Sequence, residues 1–290
     1  MKIKFATLAL LAAILPGTIL AQNNDKFYSG DKNNPFTQED KKFNDWAISA
    51  GVGVPLVQSA DLTSIKNGNG KNLFGYSAYL SVDKAITHAF GLNLQYEMGE
   101  TKQGMVNLKK DAGLGARTQY QALSLLGDIN FSNLLRRSDN HSPFRWALHG
   151  YAGVGTLGYK AYRQDADPLN PNNKLGENLI TENKFLKKFS MFGQAGAGLK
   201  FNVNRTIDIE GRVMYVVTGD DNFDGGSGNV YVLNPTPGNN SREEQYSDNF
   251  FNATLGITLK LGKHASHLMW HDPLKEIYYR LDVLENKNVD

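Results

Sequence analysis

Charged side chains occur at alternate positions within one strongly apolar stretch of the sequence. Between Thr206 and Val217 the chain reads TIDIEGRVMYVV, so Asp208, Glu210 and Arg212 alternate with aliphatic, aromatic and glycine residues. A period of two indicates a β-strand whose two faces meet different surroundings. Carboxylates and a guanidinium on one face can pair with one another or bind water. Their chemistry therefore depends on which face of the strand is enclosed.

The same alternation in other strands defines a larger set of charges on the polar face. Four acids and four bases share this face: Glu97, Asp128, Arg145, Lys200, Asp208, Glu210, Arg212 and Lys260. Equal numbers of each sign allow the set to pair internally. Removing one partner of a buried pair typically costs about 3–5 kcal/mol, because the other charge is then left alone.

Three other groups of residues have the types needed for metal binding or catalysis. The run HASHLMWH places His264, His267 and His271 at irregular spacings of three and four, which favours a structural role over a metal site. The stretch DDNFDGG, residues 220–226, has the carboxylates of a calcium loop but lacks the following glutamate at the right offset. His149 lies on the polar face, where no Ser-His-acid set converges. The sequence predicts no enzyme activity, metal site or cofactor.

Eight stretches of alternating hydrophobicity can position these side chains. They lie at about 46–54, 74–82, 90–98, 117–131, 144–154, 189–201, 206–217 and 251–261. Strands of 9–11 residues suit a tilted crossing of a bilayer. Short connections alternate with long ones rich in Asn, Gly, Asp and Pro at about 56–73, 100–116, 158–187 and 218–248. This pattern is typical of outer-membrane β-barrels, which have external loops and periplasmic turns.

These strands predict an all-β fold: an eight-stranded antiparallel transmembrane β-barrel. A soluble β-sandwich explains the alternation equally well, but not the two-sided loop asymmetry or the aromatic residues near the strand ends. If the apolar face contacts lipid, the charged face lines the lumen, and barrel closure pairs every backbone group that lipid cannot. An eight-stranded interior is only wide enough for its own side chains. We therefore favour a filled lumen over a narrow gated pore, which stays the alternative.

Within this lumen the charges are expected to form two groups. Lys200 and Asp208 flank one short turn and Lys260 ends its strand at the same level, so these three residues are expected to cluster at the periplasmic end. A second group is expected higher in the barrel. Its members are Glu97, Arg145, Glu210 and Arg212.

The predicted domain boundaries follow from composition. Lys2, Lys4 and an apolar run ending in Ala21 indicate a signal peptide, residues 1–21. The remaining regions are a polar N-terminal arm (22–43), the barrel (44–262) and a periplasmic linker (263–290). Without the signal peptide the net charge is near zero, which does not indicate a nucleic-acid partner. The chain has no cysteines, so no disulfide can stabilise it.

Two segments carry a resemblance to a known family. They are the junction GKHASHLMWHDPL after Leu261 and the acidic, glycine-rich loop TGDDNFDGGSG. With the eight strands, they resemble the N-terminal barrel of OmpA-family outer-membrane proteins of Bacteroidetes-type bacteria, over residues 22–290. The resemblance implies a periplasmic linker and a peptidoglycan-binding domain that is absent from this chain.

The predicted linker contains a short amphipathic helix beginning at Pro273. Its apolar stripe comprises Leu274, Ile277, Tyr278, Leu281 and Leu284. This stripe is interpreted as a docking tail that binds a partner or mediates dimerisation.

The predicted function is a non-enzymatic outer-membrane barrel that serves envelope integrity, with both termini in the periplasm. The alternatives are a small gated pore and an accessory subunit of a larger outer-membrane complex. Expected partners are outer-membrane lipid and lipopolysaccharide, peptidoglycan through the absent domain, and other outer-membrane proteins.

Overall fold

The computed structural model describes residues 43–59, 71–104, 115–135, 145–166, 174–185, 190–220, 222–225, 247–264 and 266–271. These ranges contain nine strands: β1 (Trp46–Ser59), β2 (Lys71–Ala85), β3 (Phe90–Gly104), β4 (Gly115–Asn130), β5 (Trp146–Ala166), β6 (Lys174–Asn183), β7 (Met191–Asn202), β8 (Ile207–Val217) and β9 (Asn249–Leu261). A four-residue helix α1 (Phe131–Leu134) follows β4, and a 3-10 turn (Leu268–Trp270) follows β9. No helix in the described ranges is long and apolar enough to cross a membrane.

Eight of these strands close into an antiparallel barrel. Their order around the barrel is β1, β2, β3, β4, β5, β7, β8 and β9, and β9 pairs back onto β1 from Trp46↔Leu261 to Ser59↔Asn249. Each strand therefore has a hydrogen-bonded neighbour on both sides. The predicted eight-stranded closed antiparallel barrel is confirmed.

Strand β6 extends the sheet outside the barrel and was missed by the sequence pattern. The predicted long loop at 158–187 is wrong for most of its length, because β5 continues to Ala166 and pairs from Tyr159 onward with β6, which lies within the same range. In this extension Tyr159 and Ala161 are buried while Lys160 is partly exposed. Hydrophobic alternation is weak where the outward side chains are charged, and the sequence therefore gave no strand signal there.

The two faces of the barrel have opposite character. Outward side chains include Val52, Val213 and Leu255, which are 66%, 53% and 62% exposed. Inward side chains such as Asn93 and Gln95 are almost fully buried. A polar interior beneath an apolar exterior is the reverse of a soluble β-barrel. The charged face of TIDIEGRVMYVV is therefore the inner one.

The two ends of the barrel also differ. We call the end with the short connections 86–89 and 203–206 the turn end, and the opposite end the loop end. At the loop end, Phe223 of the segment after β8 packs inside the barrel and is 1% exposed. It joins a buried apolar cluster, whose other members are Val57, Tyr120, Ala122, Leu157, Tyr159, Ala161, Phe192, Val216 and Phe250.

At the turn end, the chain after β9 folds back under the barrel. We call residues 262–264 and 266–271 the strap. Asn44 forms an isolated parallel bridge with His267, and its side chain both donates to the His264 carbonyl and accepts from the His264 amide. The predicted helix from Pro273 lies outside the described residues, as do Leu274, Ile277, Tyr278, Leu281 and Leu284, the signal peptide and residues 22–42 of the arm.

Candidate functional site: the barrel interior

Seven of the eight predicted interior charges are buried inside the barrel. They are Glu97, Asp128, Lys200, Asp208, Glu210, Arg212 and Lys260, each at most 7% exposed. The prediction is wrong for Arg145, because its side chain is exposed. Its position has the inward parity, but it precedes the first residue of β5 at the turn end. A long side chain at a barrel rim can extend its charged group into water.

The middle of the lumen is built around Arg212 and Glu210 on β8. The Arg212 Nη2 donates to the Glu210 Oε2 over 2.8 Å, and its Nη1 donates to the Gln95 Oε1 over 3.0 Å. The guanidinium also lies between two tyrosine rings, 4.9 Å from Tyr79 and 4.6 Å from Tyr151. Cation–π contacts of this kind stabilise a desolvated cation. The Tyr151 hydroxyl donates to Glu210, so both charges have several partners.

Near the turn end, two further ion pairs lie side by side. The Lys200 Nζ lies 3.3 Å from the Asp128 Oδ2, and the Lys260 Nζ donates to the Asp208 Oδ1. Lys260 therefore pairs with Asp208 as the sequence suggested, whereas Lys200 pairs with Asp128. Both pairs line one cavity of about 20 Å³. A space of that size holds about one water molecule.

Glu97 lies closer to the loop end, and its carboxylate is hydrogen-bonded by neutral groups instead of being paired with a cation. It accepts hydrogen bonds from the Tyr120 hydroxyl (2.8 Å), the Asn252 Nδ2 (2.6 Å) and the Gln95 Nε2 (3.0 Å). All three donors are neutral, and the Asn252 side chain also accepts from the Ser77 hydroxyl. Glu97 thus belongs to an amide and hydroxyl network rather than to the predicted group of paired charges.

Sequence reasoning missed Asp83 on β2, which lines the turn-end cavity. Its carboxylate accepts hydrogen bonds from the Ser49 hydroxyl, over 2.5 Å, and from the Asn93 side-chain amide. The predicted strand stopped at Val82. The next position on the polar face after Ser81 is Asp83, so the alternation itself indicates that Asp83 faces inward.

The Asp128–His149 pair has two of the three parts of a catalytic triad. The His149 Nδ1 lies 2.6 Å from the Asp128 Oδ1, and the imidazole is buried. Its Nε2, which would activate a nucleophile, has no hydrogen-bond partner among the described residues. The described part of the chain contains no group of three or more His, Asp or Glu side chains arranged to hold a metal ion.

The acidic loop after β8 organises its own backbone. The Asp220 carboxylate accepts from the Tyr159 hydroxyl over 2.7 Å and from the Asn222 amide over 3.1 Å. The Thr118 hydroxyl donates to the Phe223 carbonyl over 2.6 Å. These bonds hold the Phe223 ring against Phe250, with ring centroids 5.5 Å apart. The acidic residues of this loop thus help to position the Phe223 ring, which we call the aromatic plug.

Comparison with known proteins gives fold-level similarity. No protein-family model matches the sequence, and no curated protein matches it. Among solved structures, Neisserial surface protein A has a TM-score of 0.39 and 11% identity, covering 74% of this chain and 97% of that one. OprG from Pseudomonas aeruginosa has a TM-score of 0.39 and 8% identity, covering 76% and 98%.

A third similar structure is the N-terminal β-barrel domain of Pseudomonas aeruginosa OprF, with a TM-score of 0.32 and 10% identity, covering 76% of this chain and 100% of that one. These structure neighbours are OmpA-like eight-stranded outer-membrane barrels. The narrower resemblance to Bacteroidetes-type members stays a prediction. Because the identities and TM-scores are low, the function proposed below rests on this chain's own residues.

Proposed function

We propose that this protein is a non-enzymatic barrel of the bacterial outer membrane with a structural role in the cell envelope. One observation carries the proposal: a closed barrel has an apolar exterior and an interior filled by mutually paired polar and charged side chains. Such an exterior requires lipid, and such an interior leaves no room for a substrate. Outer-membrane lipid and lipopolysaccharide are then its surroundings.

The exterior supports a membrane location on energetic grounds. Large apolar side chains such as Leu94, Leu255 and Ile257 are half exposed or more around the barrel. Burial of apolar surface is worth roughly 25 cal/mol per Å², so a belt of this kind is unfavourable in water and favourable in hydrocarbon. Closure of β9 onto β1 leaves no open barrel edge, which is the condition for strands to lie in lipid.

The orientation follows from the two ends. Outer-membrane barrels have short periplasmic turns and long external loops. The turn end has the short connections, and both Asn44 and the strap lie there. We therefore infer that this end faces the periplasm and that the chain enters and leaves the barrel on that side. Peptidoglycan and other outer-membrane proteins stay predicted partners of the segments beyond the barrel.

Site-directed spin labelling tests the membrane placement. Nitroxides at Ile209 and Leu255, in protein reconstituted into lipid vesicles, should collide with dissolved oxygen more than with a water-soluble nickel chelate. A nitroxide at the inward-facing Thr254 is the matched control on the same strand as Leu255, and should be poorly reached by both. Frequent nickel collisions at Leu255, or a monodisperse chain in buffer without detergent, would contradict the proposal.

Planar-bilayer recording separates a structural barrel from a pore. With the aromatic plug at one end and the strap at the other, the wild-type protein should give no stable openings above the baseline. The double variant Phe223→Ala/Trp270→Ala removes one side chain from each closure but leaves the paired side chains of the lumen in place, so it should also give no stable openings. Stable wild-type openings would instead favour the small gated pore.

A further inference from the structure

The strap lies across the mouth of the barrel at the turn end. It is held by Asn44 on one side, where the Leu268 amide donates to the Asn44 carbonyl over 2.8 Å. On the other side the Met269 carbonyl accepts from the side-chain amides of Asn130 (3.0 Å) and Asn133 (2.8 Å). These contacts join the entry to β1 with the exit from β4. The strap therefore spans the opening.

Two strap side chains close the lumen. Met269 is 7% exposed, and its Cε would lie 2.9 Å from a Cβ placed at Gly91 on β3. The Trp270 Nε1 donates to the Asp208 Oδ2 over 2.8 Å, and its ring lies 5.7 Å from the Lys260 Nζ. Together with His267, these side chains form one wall of the turn-end cavity. The charged lumen is thus separated from the turn-end solvent by the strap.

We propose that the strap is a releasable closure, operated by tension on the chain that continues beyond His271. Pulling on that chain withdraws Met269 and Trp270 and opens the turn-end mouth to water while all eight strands stay paired.

The strap can separate from the barrel because it lacks the continuous ladder of backbone hydrogen bonds that holds a strand. It has one bridging pair, Asn44↔His267, and most of its other bonds to the barrel come from separate side chains, whereas β9 is paired along its length with both β1 and β8. Segments with few contacts open locally at lower free energy than a paired strand. Since the tail continues directly from the strap, tension reaches the strap before it reaches β9.

The buried ion pairs near the strap remain intact when the strap leaves. Asp208 loses the Trp270 donor but keeps Lys260, and Lys200 keeps Asp128. Gly262 provides the hinge, with φ at +135°, and a Cβ there would lie 2.0 Å from the Asn44 Oδ1. Opening therefore requires no broken ion pair.

The charges around His267 add an acid dependence. Burial, with Lys200 and Lys260 close by, lowers the pKa of His267 to about 4, and Asp45 acts in the opposite direction. The other charged groups that line the same cavity are Asp83, Lys84, Asp128 and Asp208. Because the docked imidazole is neutral, docking is strongest above the ordinary histidine pKa of about 6.5. It weakens as the pH falls from there towards 4.

Thiol accessibility tests the closure, since the chain has no cysteine of its own. Thr258→Cys places a thiol in the cavity under the strap, at a side chain that is 3% exposed. In the full chain reconstituted in vesicles, a charged, water-soluble maleimide should label it slowly. Adding Trp270→Ala or Asn44→Ala should raise the labelling rate roughly tenfold or more, as expected for a locally opened segment.

Two controls keep that result specific. Lys263→Ala removes an exposed strap side chain and should leave the rate unchanged. Ser124→Cys, deep in the lumen, should stay unreactive in every background, and the electrophoretic mobility of unheated protein reports whether each variant remains folded. Equal labelling of Thr258→Cys with and without the strap substitutions, in folded protein, overturns the proposal.

A pulling experiment tests the role of tension itself. A handle attached at Asp272→Cys, just beyond the strap, should give a first low-force lengthening smaller than about 33–36 Å, which is the full reach of ten extended residues before the distance spanned by the docked strap is subtracted. Strand unfolding should follow only at higher force. A first event that already releases β9 would contradict the proposal, whichever result the labelling gives.

Discussion

At the scale of single residues, the interior is stable only because each buried charge has a defined partner. Glu210 is fully buried and Arg212 is 3% exposed, so neither can be solvated by water. Their attraction and the donors from Tyr151 compensate for that desolvation. A buried pair is often no more stable than an apolar replacement, whereas half of such a pair is strongly unfavourable. The pair therefore acts as a unit.

Arg212→Ala should lower the free energy of unfolding by about 3–5 kcal/mol, because Glu210 is left buried without its cation. Arg212→Met combined with Glu210→Gln should recover most of that loss, since no ion is then left unpaired. Urea unfolding of the protein in lipid vesicles measures both. Arg145→Ala is the control, because its side chain is exposed and should change stability by less than about 0.5 kcal/mol. Equal losses in Arg212→Ala and the double variant would refute the pairing.

At the scale of elements, two short segments outside the regular strands close the barrel. The segment after β8 inserts Phe223 among Tyr120, Tyr159 and Phe250, with ring centroids 5.3–6.1 Å apart. The strap inserts Met269 and Trp270 at the opposite end. Both segments depend on specific hydrogen bonds rather than on strand pairing, and their effects can therefore be tested one at a time.

Phe223→Ala should destabilise the barrel by about 3–5 kcal/mol, the usual range for removing a buried aromatic side chain. The loss arises from a cavity within the apolar cluster at the loop end. Phe223→Leu retains much of the apolar volume and should have a clearly smaller effect. Urea unfolding with both variants in the same lipid provides the comparison. If Phe223→Ala unfolds like the wild type, the ring does not form part of the core.

Acid should release the strap before it unfolds the barrel. His267 has its pKa lowered to about 4 by burial, with Lys200 and Lys260 contributing. The stabilisation is thus complete above about pH 6.5 and is lost as the pH falls towards 4. The fluorescence of Trp270, in a Trp46→Phe/Trp146→Phe background, should shift over this window. His267→Gln should remove the shift, whereas His264→Gln, at a half-buried residue that contacts Asn44 through its backbone, should retain it.

Particular residues show how far the sequence could predict these elements. All eight barrel strands and the inward parity of Glu210, Arg212 and Lys260 were accessible from alternation, because lipid-facing and lumen-facing environments differ sharply. Strand β6 was not, since hydrophobic contrast fades where a sheet extends beyond the apolar belt. The strap could not be predicted either, because it is positioned by contacts with Asn44, Asn130 and Asp208, which are distant in sequence.

At the scale of the whole molecule, solvent preference is inverted relative to a soluble protein. The apolar side chains form the surface, and the buried face is rich in Ser, Asn, Gln and charged residues. Outside the buried cluster at the loop end, lipid rather than an apolar core therefore provides the favourable environment for Leu, Ile and Val. The cost of placing a charge on the outer face therefore depends on its depth along the barrel, because the centre of the apolar belt is farthest from water.

Leu255→Arg should destabilise the membrane-inserted barrel by about 2–4 kcal/mol, as expected for an arginine on the lipid face near the bilayer midplane. Leu255 lies at the centre of β9 and is 62% exposed. Val217→Arg, at the last residue of β8, should cost only about 0–1 kcal/mol because the interface is near. Equilibrium unfolding from vesicles measures the difference. Equal effects at the two depths would contradict the membrane placement.

The Asn44–His267 clamp has a consequence for chain connectivity. The rings of Phe43 and His271 lie 4.2 Å apart, so the points at which the polypeptide enters and leaves the cylinder nearly coincide. A short peptide could join these points, and new ends could be opened in the hairpin at 203–206. Adjacent ends are what circular permutation requires. The order of the strands along the chain can therefore be shifted cyclically without changing which strands pair.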